Sequence, residues 1–204
     1  MRFGIADFRA RAAAQDPAGR PGDHGDHVLN PDYTPEALAR QYRHAAVLIG
    51  AVDHPDGASV ILTQRASHLR SHSGQVAFPG GVIDPGDGSP EVAALREANE
   101  EIGLEPSQVE IVGRLPDYLS GSGYRISPVL AVVRPNALLT PNPDEVDAIF
   151  ETPLAFLADR ANHRRDSRVW QGKERFFYTM PYGERHIWGV TAGIIRMMTE
   201  RLWP

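Results

Sequence analysis

The chain has 204 residues, and its 21 Lys and Arg against 26 Asp and Glu give a formal charge of −5 at pH 7. This acidic balance argues against general nucleic-acid binding, because the phosphate backbone attracts basic surfaces. No apolar run reaches the roughly 18 residues of a membrane-spanning helix, and no secretory signal is visible. The chain has no cysteine, which excludes disulfides, thiol nucleophiles and cysteine-based zinc sites. These features predict a cytoplasmic enzyme.

The sequence divides into an N-terminal arm, residues 1–40, and a domain, residues 41–204. The arm begins with a short predicted helix and continues as a loop or mobile segment, rich in Gly, Pro and Asp and without apolar periodicity. Two apolar runs, Ala45–Val52 and Ser59–Arg65, flank a DHPDG turn. They predict a β-hairpin at the start of the domain.

The later elements follow from the same patterns. They are an extended segment Gln75–Phe78, a loop Gly80–Gly88, a helix Ser89–Ile102, strands Val109–Leu115 and Ile126–Val133, a short helix Thr152–Ala158, strands Arg175–Met180 and His186–Trp188, and a helix Val190–Leu202. Pro128 indicates that its strand lies at an edge or bulge, because proline cannot donate a ladder hydrogen bond. Strands and helices mix without strict alternation, which favours an α+β fold or an α/β sandwich.

The helix Ser89–Ile102 has clear boundaries, with an N-cap Ser89 and a candidate left-handed C-terminal cap at Gly103. At about 100° per residue, one arc of the helix is mostly apolar and is predicted to face the core. That arc contains Glu91, Leu95, Ala98 and Ile102. A second arc, pointing elsewhere, contains Glu97, Glu100 and Glu101.

These three glutamates repel one another, and two of them lie in the last turn, where the helix dipole disfavours negative charge. Each effect costs from a few tenths to about 1 kcal/mol. A bound divalent cation would reverse both effects, and a site of oxygen ligands suits Mg²⁺ or Mn²⁺ better than zinc. The alternative interpretation is an acidic helix face exposed to solvent. A motif this short does not by itself distinguish a metal site from such a face.

The order of residues from Gly80 to Leu104 resembles the Nudix box, Gly-x5-Glu-x7-Arg-Glu-U-x-Glu-Glu-x-Gly-U, where U is bulky and apolar. The matching residues are Gly81, Arg96, Glu97, Glu100, Glu101, Gly103 and Leu104. Asp87 stands in place of the first Glu of the box, eight residues rather than seven separate it from Arg96, and Ala98 replaces the first apolar residue.

An upstream segment resembles the signature LLTxR(S/A)x3Rx3Gx3FPGG of the Nudix branch that cleaves coenzyme A, a branch that commonly has the longer, Asp-containing box. The segment Ile61–Ala66 is followed at the required spacings by Arg70, Gly74 and the run Phe78–Gly81. Only the first Leu of the signature is replaced, by Ile61.

The resemblance implies a Nudix α/β/α sandwich, with a mixed sheet between helices and the box as a loop–helix–loop. It also implies hydrolysis of the coenzyme A pyrophosphate with Mg²⁺ or Mn²⁺, giving 4′-phosphopantetheine and adenosine 3′,5′-bisphosphate. Two alternatives remain. One is a Nudix hydrolase of another nucleoside diphosphate derivative, such as ADP-ribose or NADH. The other is a nucleotide-binding module without turnover, although such a module is expected to lose box glutamates.

The resemblance assigns metal binding to Glu97, Glu100 and Glu101, and it assigns Arg96 to hold these glutamates in place. A further ligand or general base should come from outside the helix, and Glu145 is the candidate, with an ordinary loop acid as the alternative. The expected partner is a small-molecule substrate, without nucleic acid or membrane, and a homodimer stays open.

The resemblance also supplies candidates for substrate binding. They are Arg65, Arg70, Gln75, Phe78, Gly80 and Gly81. Arginine suits phosphate as a bidentate donor, although a salt bridge to the acidic helix would also explain the two arginines. The phenylalanine has a second interpretation as an ordinary core residue.

Overall fold

The computed structural model describes residues 3–18, 24–32 and 42–204. The α-helices in these ranges are α1 (Ile5–Ala13), α2 (Pro90–Ile102), α3 (Leu154–Ala158) and α4 (Gly189–Leu202). The strands are β1 (Arg43–His54), β2 (Gly57–Arg65), β3 (Val76–Ala77), β4 (Gly80–Val82), β5 (Val109–Arg114), β6 (Tyr118–Leu119), β7 (Tyr124–Val133), β8 (Val146–Pro153), β9 (Arg164–Trp170), β10 (Lys173–Tyr182) and β11 (Arg185–Trp188). None of these helices is long and apolar enough to cross a bilayer.

Strands β1 to β8 form one mixed sheet centred on β1, which pairs antiparallel with β2 and parallel with β7. β1 and β2 pair only next to their turn, where Ala51–His54 face Gly57–Val60. Beyond that point the chain inserts β3 against β2 and β4 against Ala45–Val47 of β1. This insertion carries the Gly80–Gly81 segment into the middle of the sheet, directly beneath α2.

The sheet has an apolar cluster on each face, which confirms the predicted sandwich. On one face Leu62 and Leu130 pack with side chains from α1, α3 and α4. On the other face Ile61 and Val129 pack with the buried side of α2. Neighbouring residues of one strand point to opposite faces, so each strand supplies both clusters. β2 and β7 are therefore apolar over most of their length.

A second, three-stranded sheet has β10 between β9 and β11. β9 and β10 are joined by Gln171 and Gly172, whose φ values of 50° and 76° are the two positive values that a tight hairpin turn requires. Met180 and Ile187 are fully buried and pack this sheet against α4. β9 is absent from the predicted elements, because its sequence RRDSRVW lacks apolar alternation.

The described part of the N-terminal arm packs against the domain. The predicted helix is confirmed as α1, and Phe8 and Ala12 are fully buried. Asp26 accepts hydrogen bonds from the Tyr118 hydroxyl at 2.6 Å and from the Gly121 N–H at 2.7 Å. Part of the predicted loop, and the expected domain boundary after residue 40, lie outside the described residues.

Of the two alternatives predicted for Pro128, an edge or a bulge, the edge is wrong, because β7 lies between β1 and β5; the pairing of β7 with β5 does contain a register shift, opposite Leu130 and Ala131. Pro128 is tolerated because its backbone faces the gap between β5 and β6, the two strands that pair in turn with this side of β7. Arg114 of β5 pairs with Val129, and Tyr118 of β6 pairs with Ile126. In that gap the Pro128 carbonyl accepts a hydrogen bond from the Leu115 N–H at 3.0 Å, and no N–H is needed.

Two predicted boundaries also change. The short helix is predicted from Thr152, but Thr152 and Pro153 belong to β8, which pairs with β2 along Ser59–Arg65. The predicted loop Gly80–Gly88 begins instead as strand β4, because its first residues pair with β1.

Candidate active site

Helix α2 begins and ends where the sequence predicts. The Ser89 hydroxyl accepts a hydrogen bond from the Val92 N–H at 3.3 Å, and Pro90 occupies the first turn, where no N–H partner is needed. Gly103 has φ 65°, and the N–H groups of Gly103 and Leu104 bond back to the last turn. Both ends of the helix are therefore fixed independently of its packing.

The buried face of α2 differs from the predicted one. Ala94, Ala98 and Ile102 are fully buried, but Leu95 and Glu91 are only half-buried, and Glu91 pairs with Arg114 of β5 at 3.4 Å. The buried face is rotated by roughly half of the 100° step per residue, away from Leu95. The alanines let the helix approach the sheet closely. As a result Glu101, predicted to point elsewhere, lies against the sheet.

Arg96 is the centre of an ionic network at the surface of α2. Its guanidinium donates to both carboxylate oxygens of Asp87, at 2.8 and 3.0 Å, and to Glu97 at 3.0 Å and Glu100 at 2.9 Å. It also donates to the Val82 carbonyl at 3.1 Å, which ties the helix to β4. The hydrogen bonds from Arg96 hold the pKa of Asp87 below its usual value.

The role of Asp87 is a feature that the sequence does not reveal. Asp87 follows the loop after β4, and its carboxylate also accepts a hydrogen bond from the Asp84 N–H at 2.7 Å. It therefore closes the loop and orients Arg96, from a position that does not match the box spacing. The sequence does show a carboxylate in the loop before the helix, but the spacing alone does not show that its partner is Arg96.

Glu101 is the most buried carboxylate of the cluster, with 3% of its side chain exposed. One oxygen accepts a hydrogen bond from the Gly80 N–H at 3.1 Å, and the other lies 3.5 Å from an Arg65 nitrogen. Burial raises the pKa of Glu101 to about 7; Gly80 and Arg65 oppose this rise, and the negative charges of Glu145 and Glu97 add to it. The protein therefore leaves the charge of Glu101 only partly compensated.

Glu97 lies beside Glu101 and packs directly on Gly81. A Cβ atom at Gly81 would lie 2.5 Å from the Glu97 carboxyl carbon, so only glycine leaves room for this carboxylate. Burial raises the pKa of Glu97, with Arg96 opposing and the charges of Glu100 and Glu145 adding to the rise. The Gly80–Gly81 segment thus contacts both glutamates. The Gly80 N–H donates to Glu101, and the missing side chain of Gly81 leaves room for Glu97.

The structure brings Glu145 to this cluster from outside the helix. Glu145 precedes β8, and its charge acts on both Glu97 and Glu101. The segment before it is fastened to the end of α2, because the Asn142 N–H donates to the Glu101 carbonyl at 2.9 Å. Its own carbonyl accepts from the Ala66 N–H at 2.8 Å, next to the end of β2.

The candidates for substrate binding lie in different surroundings. Gly80, Gly81 and Arg65 touch the glutamates, as described above, and the Arg65 Nε is buried without a hydrogen-bond partner in the described residues. Arg70 is exposed, and within the described ranges it makes no ion pair. Gln75 is half-buried and hydrogen-bonds the His72 ring at 3.0 Å.

The prediction that Phe78 contacts substrate is corrected by its burial. Only 3% of Phe78 is exposed, and its ring belongs to the apolar cluster that also contains Leu62 and Leu154. Phe78 lies between the short strands β3 and β4, where its side chain points into the core rather than toward α2. Phe78 is therefore a core residue, which is its second interpretation from the sequence.

The glutamates suit a divalent cation by their chemistry, although they do not converge on one point here. In the described part of the chain, no three His, Asp or Glu side chains are grouped closely enough to hold a metal ion. Arg96 instead binds Glu97 and Glu100. The donors are all carboxylate oxygens, which suit Mg²⁺ or Mn²⁺. The buried, repelling charges of Glu97 and Glu101 are those that a cation would stabilise.

Comparison with known proteins identifies relatives of this chain. Residues 42–171 match the NUDIX domain family. The chain is 42% identical over 175 residues to a protein of Escherichia coli (strain K12) named "Uncharacterized Nudix hydrolase NudL", which covers 86% of this chain and 90% of the relative. A relative of the same name from Shigella boydii matches equally. Among solved structures, a NUDIX hydrolase from Alicyclobacillus acidocaldarius is similar with a TM-score of 0.51 and 19% identity, over 78% of this chain and 92% of that one.

Proposed function

Because the chain belongs to the NUDIX domain family and is a Nudix hydrolase, we propose that its substrate is coenzyme A or a coenzyme A derivative. The reaction is hydrolysis of the pyrophosphate bond to 4′-phosphopantetheine and adenosine 3′,5′-bisphosphate. One observation carries the proposal: the segment with the coenzyme A-type signature lies against the carboxylate cluster. Its first arginine, Arg65, and its last glycines, Gly80 and Gly81, contact Glu101 and Glu97.

Nudix hydrolases generally use divalent metal ions, and here Glu97, Glu100 and Glu101 would hold Mg²⁺ or Mn²⁺. Such an ion neutralises the pyrophosphate charge and makes a bound water more acidic. Arg96 positions the glutamates through its hydrogen bonds to Glu97 and Glu100. Glu145 stands next to this group without belonging to the helix, and we assign it the role of accepting the proton of the attacking water.

Arg65 and Arg70 are the cations available for the substrate's phosphates. A terminal guanidinium nitrogen of Arg65 lies 3.5 Å from Glu101, next to the carboxylate cluster. Arg70 is exposed on the loop after β2 and is free to pair with a phosphate that reaches past that edge. Two arginines at different depths suit a substrate with more than one phosphate group.

The direct test is incubation of the purified protein with coenzyme A and either Mg²⁺ or Mn²⁺, followed by mass analysis of the products. We expect both named products, and we expect Glu101→Gln to lose them, because glutamine keeps the size but not the charge. Glu105→Gln is the matched control, since Glu105 is exposed beyond the end of α2.

Failure to cleave coenzyme A, together with cleavage of ADP-ribose or NADH, would contradict the substrate but not the site. If Glu101→Gln cleaved coenzyme A as fast as the unchanged protein, the site assignment itself would be wrong. Equal loss of activity in Glu101→Gln and Glu105→Gln would also contradict it, because the effect would then not depend on the buried position.

A further inference from the structure

A cavity lies beside the main sheet, and its wall includes Val76, which belongs to the apolar cluster on the sheet face away from α2. It has a volume of about 430 Å³ and lies between the loop before β3 and the hairpin β10–β11. This volume falls in the range of small-molecule pockets. Its walls combine an indole, two guanidinium groups, two side-chain amides and a carboxylate. These belong to Trp188, Arg168, Arg185, Gln64, Gln75 and Glu184.

The indole of Trp188 is held in a defined orientation and keeps part of its surface open. Trp188 is half-buried. The Phe177 ring meets it edge-on at 5.3 Å between centroids, and the His186 ring is nearly parallel to it at 6.3 Å. The half-buried indole also lines the cavity, so its accessible surface is suited to stack on a nucleobase, because every base has a π-face.

The two arginines supply positive charge in different ways. Arg168 is exposed on β9 and, within the described residues, forms no ion pair, so its guanidinium is free for an anion. Arg185 is fixed, since it lies over the Phe150 ring at 4.8 Å and donates to the Gln64 side chain. Glu184 can accept a hydrogen bond from an exocyclic amine. An aromatic surface next to an unpaired arginine matches a purine nucleotide.

The cavity begins one residue away from the carboxylate cluster. Gln64 lines the cavity, and the next residue, Arg65, reaches Glu101. The Cα atoms of consecutive residues are about 3.8 Å apart, and the pairing of β2 with β8 shifts register between these two residues. The Arg65 N–H also donates to the Gln75 carbonyl at 2.9 Å, and Gln75 is another wall residue. A substrate that passes the end of β2 therefore connects the two regions.

We propose that this cavity binds the adenosine phosphate end of the substrate. The purine stacks on Trp188, and a ribose phosphate pairs with Arg168. The identity of the nucleotide as adenosine 3′,5′-bisphosphate rests on the proposed function. The pantetheine end, which is uncharged and has no aromatic ring, would leave both the indole and the guanidinium unused. No local sequence pattern indicates this cavity, because its walls come from segments more than 90 residues apart.

The test is titration of adenosine 3′,5′-bisphosphate by calorimetry into the unchanged protein and into Arg168→Ala, Trp188→Leu and Trp188→Phe. We expect at least a tenfold weaker affinity in Arg168→Ala and Trp188→Leu, with partial recovery in Trp188→Phe. Arg164→Ala is the matched control, since Arg164 is an exposed arginine of the same strand that does not line the cavity. In turnover, Arg168→Ala should raise KM about tenfold and change kcat less than threefold.

Each outcome separates this proposal from the proposed function. Unchanged affinity in Arg168→Ala would overturn the cavity assignment, even if the protein cleaves coenzyme A. An equal loss in Arg164→Ala would also overturn it, since the effect would then be general surface charge. If the protein binds the bisphosphate through Arg168 but does not cleave coenzyme A, the cavity stands and the proposed substrate fails. The Trp188→Leu result is interpreted only if its thermal midpoint is close to that of the unchanged protein, because Trp188 is half-buried. Arg168 is exposed, so Arg168→Ala tests the cavity without this condition.

Discussion

Substitution of Gly81 by alanine should reduce catalysis far more than stability. The new Cβ would lie 2.5 Å from the Glu97 carboxyl carbon and 2.5 to 2.6 Å from its oxygens. Ordinary contacts between such atoms are about 3.5 Å, so the carboxylate must retreat by about 1 Å. A displacement of that size at a catalytic group costs about 100-fold in rate, or about 2.7 kcal/mol. The assay is kcat/KM for coenzyme A beside urea unfolding.

The stability change should stay below about 1.5 kcal/mol, because the group that must move is the end of a side chain rather than backbone. Gly86→Ala, in the loop that follows β4, is the matched control, since a Cβ added at Gly86 would meet nothing within 4 Å. It should keep full activity and gain at most about 1 kcal/mol of stability. If Gly81→Ala retained kcat/KM within threefold, Glu97 would not need its observed position for catalysis.

Three further outcomes follow from the structure. Gly80→Ala should lose more than about 2 kcal/mol in urea unfolding, because its Cβ would lie 2.3 Å from the Ala46 carbonyl oxygen and its φ of 152° disfavours a side chain. Burial lowers the pKa of His163, so the unfolded chain binds more protons, and stability should fall as the pH drops below 6.5, with a smaller slope in His163→Gln. Added Mg²⁺ should raise the thermal midpoint of the protein, and should do so less in Glu101→Gln, because the cation relieves repulsion between the glutamates.

Each of these outcomes has a result that would contradict it. A Gly80→Ala protein as stable as the unchanged one would mean that β4 does not lie so close to β1. An equal pH slope with and without His163 would assign the slope to other groups. An identical Mg²⁺ effect in Glu101→Gln would place the cation elsewhere.

The parts of the fold that the sequence predicts are those with a local signal. Helix α2 is one example, because Ser89 and Gly103 fix its ends through contacts within a few residues. The apolar runs of β1 and β2 are another. Strand β8 is missing from the predicted elements, since its pairing with β2 comes from a segment more than 80 residues away along the chain. The edge assignment of Pro128 fails for a similar reason, because the change of partner from β5 to β6 is a tertiary feature.

The candidate site shows the same division. The glutamates of α2 can be named from spacing, but the burial of Glu101 depends on how far the helix is rotated on the sheet. That rotation buries Ala94 and Ala98 and leaves Leu95 half-buried, and it depends on the packing of the helix against the distant strands of the sheet. The sequence-based prediction assigns Phe78 to substrate binding, whereas its side chain is buried in the core. A phenylalanine near two glycines is compatible with both locations, and only its tertiary surroundings distinguish them.

The proposed substrate is tested most directly by the ratio of kcat/KM for coenzyme A to that for ADP-ribose, measured with Mg²⁺ in the unchanged protein. We expect a ratio well above one, because the segment with the coenzyme A-type signature lies against the carboxylate cluster. A ratio below one in the unchanged protein would contradict the account and assign the site to another nucleoside diphosphate derivative.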